Sequence, residues 1–213
     1  MRRLFLPIGF VLLAAFPPTH PLHAQTTNGD AARGKILSKS EQCQECHGET
    51  GISTSEHYPK LAGQSAAYIR KQLGDFHDGA RKSEIMNAMA ANLSPQDIAD
   101  LAAWFSAAPR WSGEQDNFSA AGQRLFLAGD FARSIPACAS CHGEKEAGAD
   151  QGQNPAPAIG GQHESYLANQ LHAWKADDRK NSPDDLMNDI ARRLSDAEID
   201  ALARYLSGLR AMK

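Results

Sequence analysis

Two pentapeptides, Cys43-Gln44-Glu45-Cys46-His47 and Cys138-Ala139-Ser140-Cys141-His142, constrain this chain more than any other feature. Paired cysteines have many uses, but a pair spaced by two residues and followed at once by histidine has a narrow one. The C-x-x-C-H order reads as covalent attachment of c-type haem. Two thiols add across the vinyl groups of one porphyrin, and the adjacent imidazole is placed under the iron as proximal ligand. The chain is therefore expected to carry two haem c groups, covalently attached through Cys43 and Cys46 and through Cys138 and Cys141, with His47 and His142 on the metal. A thioredoxin-like redox pair needs a βαβ setting, and no strand-like alternation precedes either motif. Structural zinc needs four converging ligands, whereas each motif offers two thiols and a histidine poorly placed to join them.

Before the first motif, Arg2 and Arg3 lead into an apolar run from Leu4 to Phe16, then Pro17, Pro18 and His23-Ala24-Gln25. This is the layout of a secretory signal, with cleavage expected after Ala24 although Leu22 is large for its position. The run of 13 residues falls short of the roughly 20 a spanning helix needs, which leaves an uncleaved anchor as the alternative. Residues 1–24 are thus read as a signal peptide, 25–112 and 113–213 as two domains, and the periplasm as the destination. The whole chain of 213 residues has a formal charge of −3, and losing the two arginines takes the mature protein to −5. A nucleic-acid partner is disfavoured by that balance.

The chain also repeats itself. Pro59 to Tyr68 matches Pro157 to Tyr166, Gln72-Leu73 faces Gln170-Leu171, and Arg81-Lys82 falls on Arg179-Lys180. After an insertion within Asn181–Asp185, Met86-Asn-Ala-Met-Ala-Ala-Asn-Leu-Ser94 lies over Met187-Asn-Asp-Ile-Ala-Arg-Arg-Leu-Ser195. Two copies of one fold should use one ligand position, so Met86 and Met187 are the candidate distal ligands. Met89, opposite Ile190, is expected to pack. Core packing is the alternative for each methionine. His57, His77, His163 and His172 do not recur between the copies and are read as surface or second-shell groups, keeping a bis-histidine site as the other option.

The secondary structure expected around these sites is all-α. Ser94-Pro95-Gln96-Asp97 and Ser195-Asp196-Ala197-Glu198 read as capped helix starts. Ile98, Leu101, Ala102 and Phe105 follow at helical spacing, as do Ile199, Leu202, Ala203 and Leu206. Tyr68, Ile69, Leu73 and Phe76, repeated by Tyr166, Leu167, Leu171 and Trp174, form a second stripe read as core. First helices are expected over about 30–40 and 120–127, and the domain boundary in the turn-rich stretch 109–118. Each copy is short of residues for a large core, and a porphyrin supplies the missing apolar bulk. In each loop before the second stripe, Tyr58-Pro59 and Ala156-Pro157, a backbone carbonyl is placed to accept the free N–H of the proximal histidine.

With both C-x-x-C-H motifs, the tandem Met-x-x-x-Ala-x-x-Leu-Ser segments and Ile135-Pro136-Ala137-Cys138-Ala-Ser-Cys141-His142-Gly143 in view, the mature chain resembles the cytochrome c4 family. That resemblance implies two class I cytochrome c domains in pseudo-symmetric tandem, His/Met ligation in each, and a periplasmic role passing electrons toward a terminal oxidase. Electron carriage, not catalysis on a substrate, is the expected function. The implied partners are redox proteins: a quinol-oxidising complex or dehydrogenase as donor and a terminal oxidase as acceptor, with peripheral membrane association left open. The alternatives are a cytochrome subunit of a periplasmic dehydrogenase, or a di-haem peroxidase or sulfur-compound dehydrogenase with one open distal site.

Overall fold

A computed structural model describes residues 28–111, 113, 118–143 and 156–209; the expected signal segment, residues 1–24, lies outside them. The described residues form ten α-helices and two short 3-10 turns, and no strand; Asp130 and Ile135 make an isolated bridge. In chain order the first half holds α1 (Ala31–Ser40), α2 (Cys43–His47), α3 (Ala66–His77), α4 (Glu84–Ala90) and α5 (Pro95–Ala107). The second half repeats them as α6 (Ala120–Ala128), α7 (Ala139–His142), α8 (Glu164–Lys175), α9 (Leu186–Arg192) and α10 (Asp196–Ser207).

Local chemistry accounts for most helix starts. Asp30 caps α1 by accepting from the amides of Ala32 and Arg33. Ser94 and Ser195 open α5 and α10 through complete capping boxes with Asp97 and Glu198, so two of the orphan amides at each helix start find partners. In each half the first helix crosses the last at very short range. A Cβ added at Gly34 would lie 2.0 Å from the Asp100 carbonyl oxygen, and one at Gly122 would lie 2.0 Å from that of Ala201. Backbone meets backbone at these crossings, and only glycine admits it.

Two apolar clusters form. One gathers Ile69, Phe76, Ala90, Leu93, Leu101, Ala102 and Phe105, and the other includes Leu125, Phe126, Ile135, Leu167, Leu194, Ile199, Leu202 and Leu206. The expected stripes thus build the cores, with two corrections. Tyr68 and Tyr166 do not join either cluster: their hydroxyls accept from Arg179 and Arg81 of the opposite half, because their helix face meets the other domain. Met89 is 37% exposed while its counterpart Ile190 packs on the core, so the expected packing role belongs to the isoleucine alone. The connecting stretch is pinned by Trp111, which is 2% exposed and donates its indole N–H to the Gly160 carbonyl at 2.8 Å.

Between the halves lies a polar seam with near two-fold symmetry. Gln64 donates to the Ala158 carbonyl at 2.9 Å and accepts from the Ala158 amide at 2.8 Å. Gln162 does the same with Lys60, at 2.9 Å in both directions. Farther along, Arg81 donates to Gln72, Gln170 and Tyr166, and Arg179 donates to Gln170, Gln72 and Tyr68.

Candidate haem-binding sites

Each C-x-x-C-H motif forms one short helix, and the chain then reverses through a glycine with left-handed φ, Gly48 at 82° and Gly143 at 81°. A side chain at Gly48 would also meet the Ile52 carbonyl oxygen at 2.4 Å. The reversal brings the following loop back under the histidine. His47 Nδ1 lies 2.9 Å from the Pro59 carbonyl oxygen, and His142 Nδ1 lies 2.9 Å from that of Pro157. The expectation that a proline-loop carbonyl orients each imidazole is met in both copies. With Nδ1–H donated to a carbonyl, Nε2 is the nitrogen left to bind a metal.

The electrostatics suit that role. Burial lowers the pKa of His47 and of His142 and outweighs the opposing hydrogen bond donated to the proline carbonyl, so both rings are neutral, as metal ligation requires. All four cysteines are free of disulfides and partly buried. Burial pushes the thiols of Cys43 and Cys138 up to about 11, the opposite of the low-pKa thiolate that a dithiol oxidoreductase presents. Cys43 and Cys138 pack at the margins of the two separate apolar clusters, where a porphyrin bonded to them would have an apolar neighbour. Free thiols, an oriented neutral imidazole and an adjoining apolar core make up the donor set that a covalently held haem needs, and each domain has it once.

The two candidate methionines sit at matching places on short helices. Met86, in α4, packs half-buried against the first cluster, which Cys43 also borders. Met187, in α9, is half-buried. In both copies a serine hydroxyl accepts the methionine amide: Ser83 that of Met86 at 3.3 Å, Ser182 that of Met187 at 3.1 Å. The acidic insertion is absorbed between serine and methionine as a 3-10 turn over Pro183–Asp185, so the bond from the Met187 amide to Ser182 is kept.

Four groups that sequence reading passed over support these sites. Asn87 and Asn188 directly follow the methionines. Asn87 donates to the carbonyls of Phe76 and Arg81 at 2.6 and 2.9 Å, and Asn188 to those of Trp174 and Arg179 at 2.9 and 2.8 Å. Each asparagine ties the methionine helix to the end of the preceding long helix. Gln64 and Gln162 hold the proline loops from across the domain boundary. All four recur in the repeat, which was the available signal. His163, read as a surface or second-shell group, sits at the seam with Nε2 3.0 Å from the Ser53 carbonyl oxygen.

The cytochrome c family model matches residues 31–108 and again 119–210. Cytochrome c4 of Pseudomonas aeruginosa is 41% identical over 184 residues, spanning 85% of this chain and 89% of that protein. The thiosulfate dehydrogenase electron acceptor of Stutzerimonas stutzeri is 38% identical over 195 residues, spanning 88% and 89%. The crystal structure of reduced recombinant cytochrome c4 from Pseudomonas stutzeri superposes with a TM-score of 0.78 at 35% identity, covering 85% of this chain and 99% of that one. With two tandem helical domains, each bearing the attachment motif and an oriented histidine, the chain belongs to the cytochrome c4 family: it is a di-haem electron-transfer cytochrome with haem c attached covalently at Cys43/Cys46 and at Cys138/Cys141.

Proposed function

We propose that His47 and Met86 ligate one iron and His142 and Met187 the other, and that the protein passes electrons between respiratory partners in the periplasm toward a terminal oxidase. The observation that carries this reading is the duplication of the whole site. In each domain a proline carbonyl orients the histidine, a serine hydroxyl accepts the methionine amide, and an asparagine anchors the methionine helix. When bound, each haem supplies a one-electron change between ferric and ferrous iron. The chain's own part is to hold an imidazole and a thioether in place through that change, so that little reorganises. Thioether ligation by Met86 and Met187 would favour the reduced iron and would leave no position on it for peroxide or oxygen.

Ligation is tested by the weak long-wavelength sulfur-to-iron band of the oxidised protein. Full intensity for two haems is expected, falling by half in Met86→Ala and in Met187→Ala; an unchanged band in either variant removes that methionine from the metal. A second reading, an electron acceptor dedicated to one dehydrogenase, is favoured by the likeness to the Stutzerimonas stutzeri thiosulfate dehydrogenase electron acceptor. The readings separate by donor. Faster reduction by a quinol-oxidising complex than by a sulfur-compound dehydrogenase supports the respiratory shuttle, and the reverse order supports the dedicated acceptor. The domain division near residue 113 and cleavage after Ala24 complete the proposal, the latter checked by the mass of the exported protein.

A further inference from the structure

The peptide unit joining Pro59 to Lys60 is used from both ends. Its carbonyl accepts from His47 Nδ1 at 2.9 Å, and its amide N–H donates to Gln162 Oε1, also at 2.9 Å, in the opposite domain. The peptide joining Pro157 to Ala158 mirrors it: its carbonyl accepts from His142 at 2.9 Å and its amide donates to Gln64 Oε1 at 2.8 Å. Both glutamines are buried, 5% and 4% exposed. Their amide orientation is set by three bonds each. Oε1 accepts a second amide from its own domain, that of Ser65 or His163, while Nε2 donates to the carbonyl of Ala158 or Lys60.

An amide that donates from its N–H places more negative charge on its own carbonyl oxygen, so bonds in series strengthen one another. A stronger acceptor at the proline carbonyl draws the Nδ1 proton and makes the imidazole a better donor to a metal. We propose that Gln162 and Gln64 are cross-domain positioning residues: Gln162, of the second domain, tunes the reduction potential of the haem held by Cys43 and Cys46, and Gln64, of the first, tunes that of the haem held by Cys138 and Cys141. Each domain then sets the donor strength of the other's histidine, and loosening the domain seam changes both potentials through hydrogen bonds alone. This rests on His47 and His142 being the proximal ligands.

The test is a redox titration of the holoprotein followed by proton NMR, in which the methyl signals of the two haems report separately. In Gln162→Met the side chain keeps its length and loses its acceptor, so the first-domain haem becomes easier to reduce. Its oxidised-to-reduced ratio at fixed potential should fall threefold to tenfold, about 30–60 mV at 59 mV per tenfold change for one electron. The second-domain haem should move less, and Gln64→Met should give the mirror result. The His47 Nδ1 proton signal should also move upfield in Gln162→Met. Gln162→Glu puts a stronger, charged acceptor against the Lys60 amide and should lower the first haem's potential; it carries the test if the methionine variant does not fold. Equal shifts of both haems in each variant, a larger shift at the haem of the mutated domain, or unmoved potentials overturn the proposal. If the wild-type spectrum lacks the strongly displaced ring protons of an iron-bound His47, the ligand assignment fails instead.

Discussion

Asn188 is fully buried and gives both hydrogens of one amide nitrogen to a crowded set of acceptors, the carbonyls of Trp174 and Arg179 and the Asp177 carboxylate. Asn87 does the equivalent work half-exposed, and its Oδ1 also accepts the Ser83 amide at 2.7 Å. Removing either side chain takes the asparagine donor from the Arg81 or Arg179 carbonyl, while the Phe76 and Trp174 carbonyls keep a turn amide, that of Gly79 or Asp177; a buried group left unsatisfied costs about 1–3 kcal/mol. Asn188→Ala should therefore destabilise the holoprotein by about 2–3 kcal/mol and Asn87→Ala by about 1–2 kcal/mol. Chemical denaturation reads the difference. Because each asparagine adjoins a proposed ligand, both variants should also weaken the sulfur-to-iron band of their own domain before global unfolding begins. The attachment residues were legible in the sequence because chemistry fixes their spacing. These asparagines were not, since their partners are main-chain carbonyls, and a carbonyl has no sequence identity to match against.

At the scale of helices, the crossing of α6 over α10 depends on Gly122 and the start of α10 depends on Glu198. Gly122→Ala puts a methyl group 2.0 Å from a backbone oxygen, and no rotamer change relieves a backbone clash. The helices must separate, at a cost of about 2–3 kcal/mol, near the upper end of ordinary overpacking. A lowered denaturation midpoint with the Cys138/Cys141 haem still attached is the expected result. Glu198 accepts from Arg133 and from the Ser195 amide, which hold its carboxyl at about 2 against an ordinary 4.5. A carboxylate depressed in the folded state stabilises the fold above its unfolded value, and that stability drains away as pH falls from 4.5 toward 2. Glu198→Gln keeps the cap and loses the charge. It should cost about 0.5–1 kcal/mol near neutral pH, a small figure because Arg133 is largely solvated, and should become indistinguishable from the parent as pH approaches 2. Both capped starts and the apolar stripes behind them could be read from spacing alone. The glycine crossings could not, because a glycine in a helix reads as a weak point until the second helix is in place.

For the molecule as a whole, the decisive surface is the one between the domains, and it was the least legible. Tyr68 and Tyr166 fall on the period of a core stripe, and a repeat aligns Arg81 with Arg179 without revealing that the two copies face each other. In the structure both guanidiniums are buried, at 8% and 7% exposure, and among the described residues neither pairs with a carboxylate. They stack on Phe76 and Trp174 and share the oxygens of Gln72 and Gln170. Sharing makes their contributions interdependent. Arg179→Met removes one of two like charges and leaves Gln170 bonded to Arg81, whereas adding Arg81→Met leaves the Gln170 oxygen and both tyrosine hydroxyls without their arginine donors. The double variant should therefore lose more stability than the sum of the singles, by about 1–2 kcal/mol in a double-mutant cycle on the holoprotein. Tyr68 supplies a second readout. Burial acts to raise its phenol, but the Arg179 and Arg81 charges outweigh burial and hold it below the ordinary tyrosine range. Arg179→Met takes away the larger of those charges, so Tyr68 should ionise at higher pH in the variant, followed by its ring-proton shifts. Additive losses together with an unmoved Tyr68 would mean that the two arginines act as separate packing groups and that the seam is not one network.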